Sequence, residues 1–283
     1  MSTKRIATGA GSGRVHDLSL GSPIRAALRL SAYFLFTLFA VPVQLTLLRT
    51  NWAARERFPL WYHRQCCHAL GFHIELMGEM SKVRPTLFIS NHSSYLDITA
   101  LGSLIPGSFV AKREVASWPF FGMLAKLQRT IFVDRRRHTT HTQRNDLLRR
   151  LAEGDNVILF PEGTSNDGNR TLPFRSALFS VAEQRRGDGE AGEVADLTVQ
   201  PVSIAYTRLN GLPIGHSLRP LFAWYGDMDL FSHLASLASL GAVTIRVEFH
   251  PPVLFSRFGS RKALSDHCQR AVAEGVDRAI RGK

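Results

Sequence analysis

The first long apolar segment of the chain has the length of a membrane-contacting helix. Every residue from Leu30 to Leu48 is uncharged, and Arg29 and Arg49 flank the segment. A helix needs about 20 predominantly apolar residues to cross a bilayer core. Pro42 and Gln44 weaken this run, so the pattern fits a spanning helix or one half-embedded in the membrane surface, with a buried core helix as the alternative.

The segment that follows mixes aromatic with basic side chains, as in Trp52, Phe58, Trp61, Tyr62, Arg55, Arg57 and Arg64. Such a mixture suits the headgroup region of a membrane. We therefore expect residues 23–72 to form a helical hairpin that attaches the chain to a membrane. Because arginine flanks both sides of the apolar run, the positive-inside rule gives no orientation.

After residue 72, short apolar runs alternate with longer amphipathic segments. The apolar runs predict strands at 86–90, 108–111, 130–133, 156–160, 199–206 and 243–249, and the amphipathic segments predict helices at 95–104, 115–127, 140–152 and 174–184. Residues 228–240 are apolar on one face, which favours a core helix over a second membrane contact. The fold class expected is α/β, with a mixed, largely buried sheet flanked by helices.

Length and charge bound this picture further. The 283 residues, 45% of them hydrophobic, suit one large domain with an appendage: a flexible tail at 1–22, membrane-attaching helices at 23–72 and an α/β domain at 73–283. The net charge of +12 favours an anionic partner, which includes nucleic acid, a phosphorylated cofactor and an acidic lipid surface. Three cysteines without metal-ligand spacing indicate ordinary thiols in a reducing compartment.

The candidate chemistry lies where the strand at 86–90 ends. His92 follows that strand directly, and Asp97 comes five positions later, at the start of a predicted helix. A carboxylate placed in this way can fix the tautomer of an imidazole, and a neutral imidazole is a competent base near pH 7. The alternative is a histidine that caps the following helix.

The same spacing also occurs at His141 and Asp146, in a basic segment that no strand precedes, so we assign that pair to a solvated helix face. Gly187, Gly189 and Gly192 match GxGxxG but follow a polar segment, which does not support a dinucleotide site. The chain contains no GxSxG, GxxxxGK[ST] or HExxH. Without a serine-hydrolase elbow, a base acting directly on the hydroxyl of a substrate is favoured.

Other polar residues follow neighbouring strands. They are Lys112, Arg135 and the turn Glu162-Gly163-Thr164. The glycine permits close backbone approach to a ligand, and an arginine fork suits a phosphate. Each alone is equally compatible with a surface turn or a surface cation, but the carboxyl ends of strands are where α/β sheets bind ligands.

At these positions the sequence resembles the glycerophospholipid acyltransferase family, whose bacterial members include 1-acylglycerol-3-phosphate acyltransferases. The resemblance covers about residues 84–206. Its blocks, in order, are NHSSYLD at 91–97, IFVDR at 131–135, FPEGT at 160–164 and VQPV at 199–202. Four ordered blocks are more specific than any one.

The resemblance implies that His92 is the base and Asp97 its partner. It assigns Lys112, Arg135, Glu162 and Gly163 to the acceptor side and Pro201 to the acyl-donor side, and Thr164 of the same turn is expected as a further polar contact to the substrate. It further implies acyl-CoA or acyl-carrier protein as donor, a lysolipid as acceptor and no cofactor. Because the histidines show no ligand cluster and the sequence has no nucleic-acid-binding motif, we expect neither a metal nor a nucleic acid. A membrane lipid surface is the expected partner, at the cytoplasmic face of the cell inner membrane.

Two departures concern the acceptor. Arg129 stands where the second block usually begins with glycine, and Ser165 where the third often continues with arginine. We expect lysophosphatidic acid as the acceptor, with lyso-ornithine lipid as the alternative. A basic membrane- or nucleic-acid-binding protein is the non-enzyme alternative, and a phospholipase or transacylase would use the same base on another acceptor.

Overall fold

The computed structural model describes residues 21–50, 52–133, 140–180, 182 and 196–283. The helices are α1 (Pro23–Thr50), α2 (Trp52–Leu70), α3 (Leu96–Gly102), α4 (Phe121–Leu127), α5 (Thr140–Ala152), α6 (Leu230–Ser239) and α7 (Arg261–Ile280). The strands are β1 (Phe72–Gly78), β2 (Thr86–Ser90), β3 (Ser108–Lys112), β4 (Ile131–Val133), β5 (Val157–Leu159), β6 (Thr198–Leu209), β7 (Leu212–Pro213), β8 (Val243–Phe249) and β9 (Val253–Leu254).

These strands form one mixed sheet in the order β1-β8-β6-β2-β5-β3-β4, with β7 and β9 paired to β6. Five neighbours, β6, β2, β5, β3 and β4, run parallel, whereas β8 is antiparallel to β6. The parallel strands therefore bring their carboxyl ends to one edge of the sheet. This edge carries His92 after β2, Lys112 at the end of β3 and Glu162 after β5.

Both faces of the sheet are covered, which explains why its central strands are continuous apolar runs. Along β2, Phe88 packs on one face with residues of α2, α3 and α6. Its neighbours Leu87 and Ile89 pack on the other face with residues of α5 and α7. All three side chains are fully buried.

The predicted α/β class, with a mixed sheet flanked by helices, is confirmed. The strands at 86–90 and 243–249 and the helix at 140–152 have the predicted bounds. Within 115–127, only Phe121–Leu127 is α-helical, after a 3-10 turn. Within 174–184, the described part holds the 3-10 turn Ser176–Phe179 and α-helical residues at 180 and 182. The pattern missed β1 and α7.

Helix α1 packs against α2 and the rest of the protein along one of its faces. Tyr33, Thr37, Ala40 and Gln44 form this buried face, at helical spacing. Gln44 donates to the backbone carbonyls of Arg55 in α2 and of Leu127 in α4, 3.1 Å from each. The opposite face of α1 exposes large apolar side chains, among them Leu35, Leu38 and Phe39, which are 58–72% exposed.

By length and composition, α1 could cross a membrane; among the described residues it alone meets that test. The predicted division of the chain at residues 22 and 72 stays a prediction. Within 228–240, Leu230–Ser239 forms α6, which buries Leu234, Leu237 and Ala238 as expected of a core helix, while Phe231 stays 55% exposed.

Arg129 lies at the other edge of the sheet from His92. It has a φ of 62°, a left-handed conformation that glycine adopts most easily, which accounts for the glycine usual at this position. Its guanidinium pairs with Asp155, which precedes β5, and with Glu56 of α2, and is 9% exposed. The expectation that Arg129 contacts the acceptor is therefore wrong. Its ion pairs hold α2 against the edge of the sheet at which the parallel strands begin.

Candidate active site

The loop after β2 is tied to the neighbouring strand β6 by Asn91. The side-chain amide of Asn91 donates to the carbonyl of Ile204, and its side-chain oxygen accepts from the N–H of the same residue, both at 2.9 Å. These two bonds replace the backbone pairing that ends at Ser90. They fix where the next residue, His92, leaves the sheet.

His92 and Asp97 form a hydrogen-bonded pair, as predicted. Nδ1 of His92 lies 2.9 Å from Oδ2 of Asp97. The imidazole stacks on the ring of Phe160, with centroids 4.2 Å apart and planes 19° from parallel. The histidine side chain remains 22% exposed, whereas the carboxylate is fully buried.

Asp97 also receives three other donors. Its Oδ2 accepts the backbone N–H groups of Ser93 and Ser94 at 2.8 and 2.9 Å, and its Oδ1 accepts the hydroxyl of Tyr206 at 2.8 Å. An oxygen already holding two N–H donors is an acceptor toward the imidazole, so the proton between the pair belongs to Nδ1 of His92. In the neutral imidazole with this tautomer, Nε2 carries no proton and can accept one.

A second carboxyl group holds the backbone of His92. Glu162 Oε1 accepts the N–H of His92 at 3.2 Å, and Glu162 Oε2 accepts from the Asn166 amide at 2.8 Å. The same amide nitrogen lies 3.3 Å from the carbonyl oxygen of His92. Glu162 is only 2% exposed, so it positions the histidine from behind instead of facing the cleft.

Burial dominates the protonation of Glu162. Desolvation raises its pKa from 4.5 to about 8, and the charge of Asp97 adds to this effect. Hydrogen bonds from Asn166 and from backbone N–H groups act in the opposite direction without cancelling it.

A cavity of about 610 Å³ opens beside the imidazole. This volume lies within the roughly 300–1,000 Å³ of ligand pockets. The wall is mostly apolar and includes side chains from α1, α2, α3 and α4, and His92, Lys112, Gly163 and Thr164 supply polar positions. A long apolar group can therefore lie inside the protein with its end at Nε2 of His92.

The structure brings together some of the residues expected at the site and separates others. Lys112, Gly163 and Thr164 line the cavity with His92. Pro201 does not: it lies within β6, opposite Ile89 of β2, and is buried in the sheet. Arg135 and the GxGxxG match fall outside the described residues. Of the second histidine–aspartate spacing, Asp146 is half exposed and pairs with Arg149, as expected of a solvated helix face.

The departure in the third block also has a structural role. The Ser165 hydroxyl donates to the backbone carbonyl of Trp224, and Trp224 in turn donates its N–H to the carbonyl of Ser93 at 2.9 Å. Asn166, next along the chain, contacts both Glu162 and His92. Residues 165 and 166 thus brace the His92 loop.

Three side chains at the site were not predicted. Tyr206 comes from β6 and Asn166 from the loop after β5, and each bonds to the pair or its backbone. The third, Arg175, lines the cavity next to Gly163. The strand-end rule that identified Glu162 extends to its near neighbour Asn166, but nothing local marks Tyr206 or Arg175.

The mixed α/β sheet presents a buried aspartate, a histidine and an apolar cavity at one edge. This arrangement is typical of transferases and hydrolases that act on apolar substrates. A sequence model of the family described as Acyltransferase matches residues 73–205. A lyso-ornithine lipid O-acyltransferase of Brucella abortus is 41% identical over 92% of this chain and 97% of the relative. The chain belongs to the acyltransferase family and is an enzyme.

Two further comparisons, one of sequence and one of structure, match this chain to acyltransferases. A 1-acyl-sn-glycerol-3-phosphate acyltransferase of Neisseria meningitidis is 31% identical over 69% of this chain and 72% of the relative. The crystal structure of PlsC, the 1-acyl-sn-glycerophosphate acyltransferase of Thermotoga maritima, matches with a TM-score of 0.63, covering 90% of this chain and 95% of that one. At 21% identity this likeness shows the fold alone.

Proposed function

We propose that this enzyme transfers a fatty acyl group to the free hydroxyl of lyso-ornithine lipid. The observation that carries the choice of acceptor is the greater similarity to the lyso-ornithine lipid enzyme, 41% over 92% of the chain, than to the lysophosphatidic acid enzyme, 31% over 69%. The sequence-based preference for lysophosphatidic acid gives way to its alternative. Ornithine is a diamino acid, so its lipid presents a carboxylate and an ammonium group in place of a phosphate monoester.

In the proposed reaction the acceptor hydroxyl attacks the carbonyl carbon of an acyl thioester. Nε2 of His92 takes the hydroxyl proton as the carbon–oxygen bond forms, and Asp97 stabilises the resulting imidazolium. The carbon–sulfur bond then breaks, and the imidazolium returns the proton to the departing thiolate. A positioned base of this kind contributes roughly 100- to 10,000-fold to the rate.

The thioester donor is acyl-CoA or acyl-carrier protein in this proposal. One face of α1 is apolar and exposed, while its opposite face packs on the protein. We therefore propose that the exposed face lies in the membrane surface and attaches the enzyme to one leaflet without a full span. An enzyme at the cytoplasmic face of the inner membrane would meet both the thioester and a lipid that stays in the bilayer.

The acceptor is tested by measuring kcat/KM for lyso-ornithine lipid and for lysophosphatidic acid in the same mixed micelles, with the same labelled acyl thioester. The proposal predicts at least ~10-fold preference for lyso-ornithine lipid, equivalent to about 1.4 kcal/mol of discrimination. Equal rates, or faster acylation of lysophosphatidic acid, would overturn the choice of acceptor and leave the acyltransferase assignment standing.

A further inference from the structure

Arg175 is a cation at the mouth of the cavity whose position is fixed by its surroundings. Its backbone N–H donates to the carbonyl of Pro161 at 2.9 Å, which ties it to the turn after β5. The preceding residue, Phe174, is buried and donates its own N–H to Gln269 of α7 at 3.1 Å. The backbone from which the arginine extends is therefore held on both sides.

The guanidinium lies against the backbone of Gly163. A Cβ placed on that glycine would come within 3.2 Å of both Nε and Cζ of Arg175. Gly163 also has a φ of 68°, so a side chain there would be strained as well as crowded. The glycine thus leaves room for the arginine beside the turn that carries Glu162.

Among the described residues, no hydrogen bond or ion pair engages this guanidinium. The arginine side chain is exposed and lines the same cavity as His92 and Lys112. The loop offers no substitute cation at residue 165, because Ser165 stands there and bonds to Trp224. An arginine presents several N–H groups in a planar fork that matches the two oxygens of a carboxylate or two oxygens of a phosphate.

From this arrangement we infer that Arg175 binds the anionic group of the acceptor headgroup and determines acceptor affinity. The inference rests on the proposed function, in which that group is the ornithine carboxylate; a lipid phosphate would present the same chemistry. Arg175 binds the headgroup before and during transfer, so its contribution lies in KM and not in the proton transfer carried out by His92.

The test combines one change in the enzyme with one change in the substrate, in the manner of a double-mutant cycle. Wild type and Arg175→Met are assayed on lyso-ornithine lipid and on its carboxylate methyl ester, with Arg170→Met as a control. Arg170 is an exposed arginine earlier in the same loop and does not line the cavity. Losing a charge-assisted pair of hydrogen bonds predicts a roughly 10- to 100-fold rise in KM with kcat within about three-fold.

The effects on KM of removing the guanidinium and of removing the substrate carboxylate should not be additive. Esterification should raise the KM of wild type by a similar factor and have little effect on Arg175→Met, while Arg170→Met should behave as wild type. An unchanged KM in a folded Arg175→Met enzyme, or losses that multiply, would overturn the inference. Lysophosphatidic acid serves as a separate arm: if wild type prefers it, the proposed acceptor fails, and Arg175→Met then reports on phosphate binding.

Discussion

Replacing Asp97 by asparagine should separate the chemistry of the site from its stability. Oδ2 of Asp97 accepts from Ser93, Ser94 and His92, whereas Oδ1 accepts only from Tyr206. An asparagine can place its carbonyl at the first position and its amide nitrogen toward the Tyr206 oxygen. The three contacts at Oδ2 then survive, the contact with Tyr206 reverses so that the amide donates to the hydroxyl oxygen, and the negative charge is lost.

The expected changes in kcat and in stability follow from the hydrogen bonds that each variant keeps. Because Nδ1 of His92 still has an acceptor, its tautomer is unchanged, and Asp97→Asn should lower kcat by roughly 100-fold through loss of charge stabilisation alone. Its stability should stay within about 1 kcal/mol of wild type. Asp97→Ala instead strands two buried backbone N–H groups, which at about 1–3 kcal/mol each costs about 2–6 kcal/mol.

The assay pairs acyl transfer with urea unfolding in the same detergent. Asp155→Asn is the matched control, because Asp155 is buried to 2% exposure but lies at the opposite edge of the sheet. It should lose stability and keep kcat. If Asp97→Asn retained activity within three-fold of wild type, or unfolded as readily as Asp97→Ala, the hydrogen-bond assignment at Asp97 would be incorrect.

Three other perturbations test separate parts of the site. Burial raises the pKa of Glu162 to about 8, so the folded state holds this proton more tightly than the unfolded state. The free energy of unfolding should therefore fall as pH rises from about 4.5 to 8, by at most ~1.36 kcal/mol per pH unit. Urea unfolding of Glu162→Gln should show a weaker dependence of stability on pH, and a dependence equal to that of wild type would contradict the burial argument. Gly163→Ala should raise the acceptor KM and cost about 1–2 kcal/mol, because a side chain at positive φ is strained; wild-type values would show that the close approach is unimportant. Leu38→Asp with Phe39→Asp should release the enzyme from vesicles in a flotation assay, since both side chains are exposed on α1, and retention would argue against that face as the membrane contact.

The sequence identified those features that depend on short stretches of chain. The strand at 86–90 is a continuous apolar run because it is buried on both faces, and His92 and Asp97 follow it within one turn of chain. Strand β1 was missed because it is an edge strand whose partner, β8, begins at Val243. Its burial alternates poorly, so no period of two is visible.

Long-range contacts explain the remaining errors at the site. Tyr206 bonds to Asp97 across 109 residues of sequence, and no local pattern marks that contact. Glu162 was expected on the acceptor side, but its oxygens bond to the backbone of His92 and to Asn166. Pro201 was expected near the acyl donor, yet it lies in the central strand β6, paired with Ile89 of β2, and does not line the cavity. A sequence motif identifies residues that lie near one another, whereas the direction of each side chain depends on its position in the sheet.

The central claim is that His92 acts as the base for acyl transfer to a lysolipid. Its most direct test compares wild type with His92→Ala on lyso-ornithine lipid and a labelled acyl thioester, in detergent micelles, with thermal unfolding measured on both proteins. The account predicts that the variant remains folded and that kcat falls by roughly 100-fold or more, the contribution expected of a lost base. A folded His92→Ala enzyme that acylates lyso-ornithine lipid at the wild-type rate would contradict it.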